Sequence, residues 1–156
     1  MAREGRRWRS FLDTGVIIAG CIQPWGAAKG VLILTTQRQR FTVVLAEAVQ
    51  RELTRVLARR EAAAAEAITG WLQCVRQEHW SMPSPEEIML AAPTLMPALR
   101  HENDLAAVVT AMQARPHFVI SANTAHWNAE LAARTELRII SPQAFLAGLA
   151  PAAPEE

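Results

Sequence analysis

The sequence predicts an α/β fold, a mainly parallel sheet covered by helices on both faces, in one domain over residues 1–149 with a disordered tail at 150–156. Three observations predict it. Short apolar, β-branched runs recur along the chain. Segments with apolar residues at three- and four-residue spacing lie between them, and no tight hairpin turn joins any two runs. Strands connected by helical crossovers pair in parallel, and a parallel sheet buried on both faces uses uniformly apolar strands. With 156 residues, 51% hydrophobic and 20% charged, the chain is long enough for a single core and too apolar to be disordered.

The elements follow in order. Phe11-Leu12-Asp13-Thr14-Gly15-Val16-Ile17-Ile18-Ala19 reads as a buried strand with a turn, and Gln23-Pro24-Trp25-Gly26 as a turn before a short helix at 27–36. Phe41-Thr42-Val43-Val44-Leu45 is a second buried strand. Beyond Ala46 the period becomes helical, with Val49, Leu53, Val56 and Leu57 on one stripe. An Ala-rich helical pattern at 62–80 carries Ile68, Leu72 and Val75, with Gly70 as its weak point. Ser84-Pro85-Glu86-Glu87 is a helix start: a capping serine, proline at the first position, and acids at the positive end of the dipole. Pro93 and Pro97 argue against one clean helix at 88–99. Asn103 and Asp104 offer a cap for a helix at 105–114. Phe118-Val119-Ile120-Ser121 and Leu137-Arg138-Ile139-Ile140 are two further strands, and Ser141-Pro142 opens a last helix at 143–149.

The composition bounds function only loosely. A formal net charge of +1 carries no global signature of nucleic-acid binding. Arg supplies fifteen of the sixteen basic residues, which suits bidentate phosphate contacts and equally fits a GC-rich coding sequence. Arg38 and Arg40, and the set Arg51, Arg55 and Arg59, are candidates for an RNA backbone, the second set reading equally as a solvated helix face. Cys21 and Cys74 form no metal-ligand or disulfide pattern and are expected as buried, reduced thiols of a cytoplasmic protein. Asp13 interrupts the apolar stretch after the basic N-terminus, and no clean cleavage site follows, so no signal peptide is expected. No apolar run reaches membrane-spanning length, so no membrane association is expected.

Asp13 is the chemically informative residue. Burying a carboxylate in so apolar a run costs several kcal/mol, on the order of the desolvation penalty of a single ion, unless a partner or metal compensates. Open α/β sheets place their sites at strand C-terminal ends. Glu52, early in the helix after the second strand, and Asp104, at the start of the helix before the third, can reach that same edge. Clustered carboxylates either raise one another's pKa or bind a divalent cation. Taken singly, Glu52 also reads as a solvated helix charge and Asp104 as a helix cap. Glu47 and Glu102 read as dipole-complementing charges, and His101 and His117 lack a ligand partner at zinc spacing.

Set in order, these segments resemble the PIN domain family. Phe11 to Gly20 is similar to that family's opening strand, which ends in Asp-Thr-Asn-Val or a close variant. Phe41 to Leu53 resembles its second strand and helix, with Glu52 as the acid. The stretch His101-Glu102-Asn103-Asp104-Leu105 resembles the part that holds its third acid. Phe118 to Trp127 resembles its fourth motif, and Leu137 to Leu146 its closing strand and helix. No single motif is specific, but five in register cover nearly the whole chain.

The resemblance implies a three-layer α/β/α sandwich, a Mg²⁺ or Mn²⁺ site, and cleavage of RNA in single-stranded regions. It also implies kinship with VapC-like toxins, often homodimeric and silenced by an antitoxin protein. Carried over residue by residue, Asp13, Glu52 and Asp104 match the catalytic, metal-binding acids. Asn123 stands at the fourth position, where many members have Asp, and a second frequent Asp position is His126 here. Asn can still hydrogen-bond a water, while His126 can bind a phosphate or move a proton, or be an ordinary histidine beside Trp127. Thr14 and Ser121 are hydroxyls placed to position phosphate or water. The missing fourth acid also leaves open a PIN-like domain without catalysis, serving as an RNA-binding or protein-interaction module. A flavodoxin-like domain would explain Asp13 but neither Glu52 nor the segment Ser121 to Trp127.

Overall fold

The computed structural model describes residues 6–96, 98–99 and 104–148. Five strands, β1 (Trp8–Leu12), β2 (Phe41–Ala46), β3 (Gln77–Trp80), β4 (Phe118–Ile120) and β5 (Ile139–Ile140), form one sheet in the order β3-β2-β1-β4-β5. Every neighbouring pair is parallel. The register sets Trp8, Ser10 and Leu12 on one face with Phe41, Val43, Phe118 and Ile120. Phe11, Val44 and Val119 share the other. All six residues of β2 are buried, as expected of a central strand covered on both sides.

Helices supply that cover. On the first face, Phe145 of α8 (Pro142–Gly148) meets Phe41 and Phe118 edge-on. Helices α1 (Thr14–Ile22), α2 (Ala27–Thr35) and α4 (Ala62–Cys74) pack together, with α8 against α2. Trp71 of α4 is buried and donates its indole N–H to Leu32 O at 3.1 Å, tying α4 to α2. Where α1 turns into α2, a Cβ at Gly20 would come within 2.6 Å of Leu32 and 2.8 Å of Ala28 O, so only glycine allows this approach. On the second face, Trp127 packs on Phe11. Helix α5 (Pro85–Leu95) packs against α6 (Leu105–Ala114) and α7 (Ala129–Thr135), and α6 also meets α3 (Glu47–Leu57). The three layers agree with the predicted sandwich, and the sheet is wholly rather than mainly parallel.

Four local expectations change. The strand stops at Leu12, and residues Val16 to Ile18 are helical. A helix buried nearly all round has no amphipathic stripe, so its sequence mimics a buried strand. The pattern expected to stay helical to residue 80 breaks after Cys74, and Gln77–Trp80 forms the edge strand β3. Its Gln-Glu-His-Trp sequence has no apolar alternation to announce it. Pro93 is carried inside α5. It lies in the last turn on an exposed side, where the carbonyl it leaves unpaired can be hydrated. Cys74 is exposed and Cys21 only half-buried, both free thiols.

Helix α7, capped by Asn128, is not among the elements the sequence predicts, while two other helix starts are where the sequence places them. Ser84 and Glu87 form a reciprocal capping box, and Pro142 opens α8. Pro97, His101, Glu102, Asn103 and the tail at 150–156 lie outside the described residues. No single helix among those described is long and apolar enough to cross a membrane.

A charged tie spans the sheet on the Phe11 face. Arg9 Nε donates to Glu78 Oε2 at 2.8 Å, the second guanidinium nitrogen pairs with Oε1, and Trp80 Nε1 donates to the same oxygen at 2.9 Å. Hydrogen bonding to Arg9, opposed by desolvation, lowers the Glu78 pKa. A depressed carboxylate pKa adds stability above the unfolded value that is lost as pH falls through the folded one. Arg9→Met is therefore expected to lower stability by about 1–3 kcal/mol in urea titrations, the usual cost of stranding a charged hydrogen-bond partner. Pairing it with Glu78→Leu should recover much of that loss and flatten the acid limb of the stability profile.

Candidate functional site

The strand order reverses direction at β1: the chain adds β2 and β3 to one side, then crosses to place β4 on the other. Such a switch opens a crevice at the C-terminal ends of the two strands. Asp13 occupies it. Its backbone N–H donates to Ile120 O at 3.0 Å, extending the β1–β4 ladder by one residue. Its extended backbone (φ −66°, ψ 150°) then makes it the N-cap of α1. Oδ1 accepts from Thr14 N at 2.9 Å, and Oδ2 accepts from Ser121 Oγ at 3.0 Å. Ser121, just beyond β4 and buried, in turn accepts from Asn123 N at 3.0 Å.

Glu52 arrives from α3. Val49 and Leu53 bury one face of that helix, which sets Glu52 on its flank, where Thr14 Oγ1 donates to Glu52 Oε2 at 2.9 Å. Thr14 thus joins two acids, one through its backbone and one through its hydroxyl. Asp104 precedes α6 with helical dihedrals (φ −86°, ψ −11°) and makes no capping bond. Its carboxylate turns to His126, whose Nδ1 lies 3.0 Å from Oδ2. That oxygen is buried, and the contact lacks hydrogen-bond geometry. Glu52 and Asp104 line one pocket of about 310 Å³ with Arg51, Arg55 and Met82.

The electrostatics match this crowding. Desolvation raises the Asp13 pKa most, and the negative charges of Glu52 and Asp104 raise it further; the bonds from Ser121 and Thr14 oppose this. Asp13 thus lies within the field of two acids from other elements at the switch point. Among the described residues, no three His, Cys, Asp or Glu side chains close around one point as a ready cage. The donor chemistry fits Mg²⁺ or Mn²⁺ held more openly, through one or two carboxylates with water completing the shell. The buried oxygen of Asp104 without a hydrogen bond is where such a cation would be accommodated.

The other expected residues divide. Thr14 and Ser121 are buried and bonded to the acids. Asn123 is exposed, and its Oδ1 accepts from Ala125 N at 3.3 Å within its own turn. Arg38 and Arg40 precede β2, at the sheet edge opposite the acids. His117 accepts from Arg9 N at 2.8 Å, and desolvation lowers its pKa. Glu47 does more than complement a dipole: it accepts from Met82 N at 2.6 Å and pairs with Arg51 at 2.9 Å, fixing a wall of the pocket. Nothing in the sequence linked Glu47 to Met82, because β3 between them was not foreseen.

The sequence profile of the PIN domain family matches residues 9–125. No curated protein matches the chain. Among solved structures, VapBC2 from Rickettsia felis, described as bound to a DNA fragment from its promoter, superposes with a TM-score of 0.63 at 13% identity, covering 85% of this chain and 98% of the other. PAE2754 from Pyrobaculum aerophilum gives 0.59 at 17% identity, covering 93% and 97%. FitAcB from Neisseria gonorrhoeae gives 0.57 at 17%, covering 86% and 98%. At these identities the likeness concerns the fold.

A raised carboxylate pKa has a definite sign in stability. Between the unfolded and folded values the native state holds more protons, so stability falls as pH rises through that window. Asp13→Asn removes the charge and keeps an oxygen to accept from Thr14 N. The variant is expected to melt higher than the parent at pH 7 in a divalent-free buffer, with the difference shrinking toward pH 4. A parent that melts higher at pH 7 would contradict the repulsion described.

Proposed function

The chain belongs to the PIN domain family, and on that premise we propose that it is a metal-dependent endoribonuclease. It hydrolyses phosphodiester bonds in single-stranded regions of RNA, in the cytoplasm, as the toxin of a toxin–antitoxin pair. The observation that carries this reading is the bridge made by Thr14, which joins Asp13 to Glu52 at the topological switch point. A fold needs no such meeting of acids for stability, and their repulsion argues for a positively charged occupant.

Asp13, Glu52 and Asp104 would hold Mg²⁺ or Mn²⁺. When bound, the ion neutralises phosphate charge and lowers the pKa of water at the site. The chain's own residues supply order. Ser121 and Thr14 fix both oxygens of Asp13, and Thr14 restrains Glu52, so neither acid must reorganise during reaction. His126, beside Asp104, is placed to bind a phosphate oxygen or move a proton. Asn123 shapes the turn that carries Ser121 and, in place of a fourth acid, offers an amide to water or phosphate.

An antitoxin and a second copy of the chain are the proposed protein partners. Trp25, Ile33, Met89 and Leu90 are exposed apolar side chains available to such surfaces. The names VapBC2 and FitAcB among the similar folds support the same assignment. Co-expression tests it: toxicity of the chain alone, relieved by the product of an adjacent small reading frame, is the expected outcome.

One observation favours a second reading, a PIN-like domain that binds RNA or protein without cleaving. Asn123 stands where many members carry an acid, and its Oδ1 is engaged in its own turn. Calorimetry separates the two readings, since absence of Mn²⁺ binding at millimolar concentration, with RNA binding intact, selects the second. For the first, Asp13→Asn and Asp104→Asn should each reduce Mn²⁺-dependent RNA cleavage by about 100-fold or more, consistent with the several kcal/mol a metal contributes. Cleavage equal to the parent would overturn it.

A further inference from the structure

We propose that the exposed face of α3 and the turn beyond it form the track along which the RNA backbone leaves the acid site. The proposal rests on the ribonuclease reading and extends it to named residues and a second pocket. Val49 and Leu53 bury one side of α3, so the four-residue spacing of Glu47, Arg51 and Arg55 places these residues in a row on the opposite side. The row begins at the acids, where Arg51 and Arg55 line the pocket shared by Glu52 and Asp104. The track continues past the end of the helix. Helix α3 ends at Leu57; Ala58 N bonds back to Thr54, while Arg59 N and Arg60 N bond to Val56 and Leu57 at the three-residue spacing of a tighter turn, which carries both arginines on beyond the helix.

Arg59 and Arg60 then line a different pocket, of about 490 Å³, with Ile22, Glu61, Ala63 and Ala64. One wall carries two guanidiniums, another is apolar, and Glu61 is its carboxylate. That combination suits a nucleotide, phosphate against the arginines and base against Ile22 and the alanines. Each step of the row advances about 6 Å along the axis, at 1.5 Å per residue.

Position, together with the absence of a partner, marks these arginines. Among the described residues, Arg38, Arg76 and Arg115 also make no side-chain ion pair or hydrogen bond, but none of them lines the acid pocket or the pocket of Arg59 and Arg60. Arg51 is paired with Glu47, Arg9 with Glu78, and Arg134 with Glu130. Among the described residues, Arg55, Arg59 and Arg60 make no side-chain ion pair or hydrogen bond. Three unpaired guanidiniums, Arg55 at the acid pocket and Arg59 and Arg60 at the second pocket, provide backbone contacts that read no sequence. Arg38, at the opposite edge of the sheet, lies off this track.

The test measures binding apart from cleavage. Anisotropy of a labelled single-stranded RNA oligonucleotide is followed in EDTA across a NaCl series, using the full chain, the triple variant Arg55→Gln/Arg59→Gln/Arg60→Gln, and Arg38→Gln. Each single-strand phosphate contact contributes roughly 0.7 to the slope of log K against log salt. The triple variant should therefore lose about 2 in slope and more than about tenfold in affinity, while Arg38→Gln stays close to the parent. An unchanged slope in the triple variant overturns the track, as does a loss in Arg38→Gln of about a third of the triple's, the same change per charge removed, which would make the effect one of net charge. Mn²⁺-dependent cleavage of the same RNA by the parent keeps the two failures distinguishable. If the parent cleaves and the slope is unchanged, the track falls and the nuclease stands; if the parent neither cleaves nor binds, both fall.

Discussion

A carboxylate placed where water is scarce and two other carboxylates are near is the constraint around which this fold is arranged. Asp13 ends β1, starts α1 and, through its backbone, extends the pairing of β1 with β4. It cannot move without disturbing all three. Its desolvation and the charges of Glu52 and Asp104 act against the ionised form, so Ser121 and Thr14 stand on its two oxygens. Hydrogen bonds of this kind contribute about 1.5–3 kcal/mol each when one partner is charged. They offset part of the repulsion and leave the rest uncompensated among the described residues.

The remainder of the structure keeps that edge rigid. Strand β2, buried throughout, anchors α3 and so fixes where Glu52 emerges. Phe11 packed on Trp127 holds the segment after β4 against the sheet, and with it the turn that carries Ser121 and His126. Glu47 reaches across to Met82 N and fixes the loop after β3 against α3. Arg9 and Glu78 span the sheet on the same face as Phe11. Each tie connects elements distant in sequence, which is how a short chain holds three acids against their mutual repulsion.

Legibility in the sequence follows from which physical signals are local. The capping box at Ser84 and Glu87 and the β-branched run of β2 depend on neighbouring residues, and both are where the sequence places them. Helix α1 reads as strand in the sequence because burial on nearly every side removes the period that distinguishes helix from strand. Strand β3 has no signal in the sequence, because an edge strand of Gln, Glu, His and Trp takes its conformation from pairing with β2, a contact no local pattern encodes. Asp13, Glu52 and Asp104 were each visible as acids near strand ends or helix starts. Their connection through Thr14, and the turning of Asp104 toward His126 instead of its own helix, are tertiary facts.

Helix α3 couples the acid site to the face proposed for RNA. Its buried stripe of Val49 and Leu53 fixes its rotation about its own axis, and fixing rotation fixes every other face at once. Glu52 on the flank must then meet Thr14, while residues 51 and 55 must point away from the core. A slip by one residue would turn the helix by about 100°, withdrawing the acid from the site and the arginines from their line together. Acid site and strand-binding face are therefore not independent features of this surface. If RNA follows the proposed track, the packing that sets Glu52 beside Thr14 also fixes the direction in which it runs, from the acid pocket toward Arg59 and Arg60.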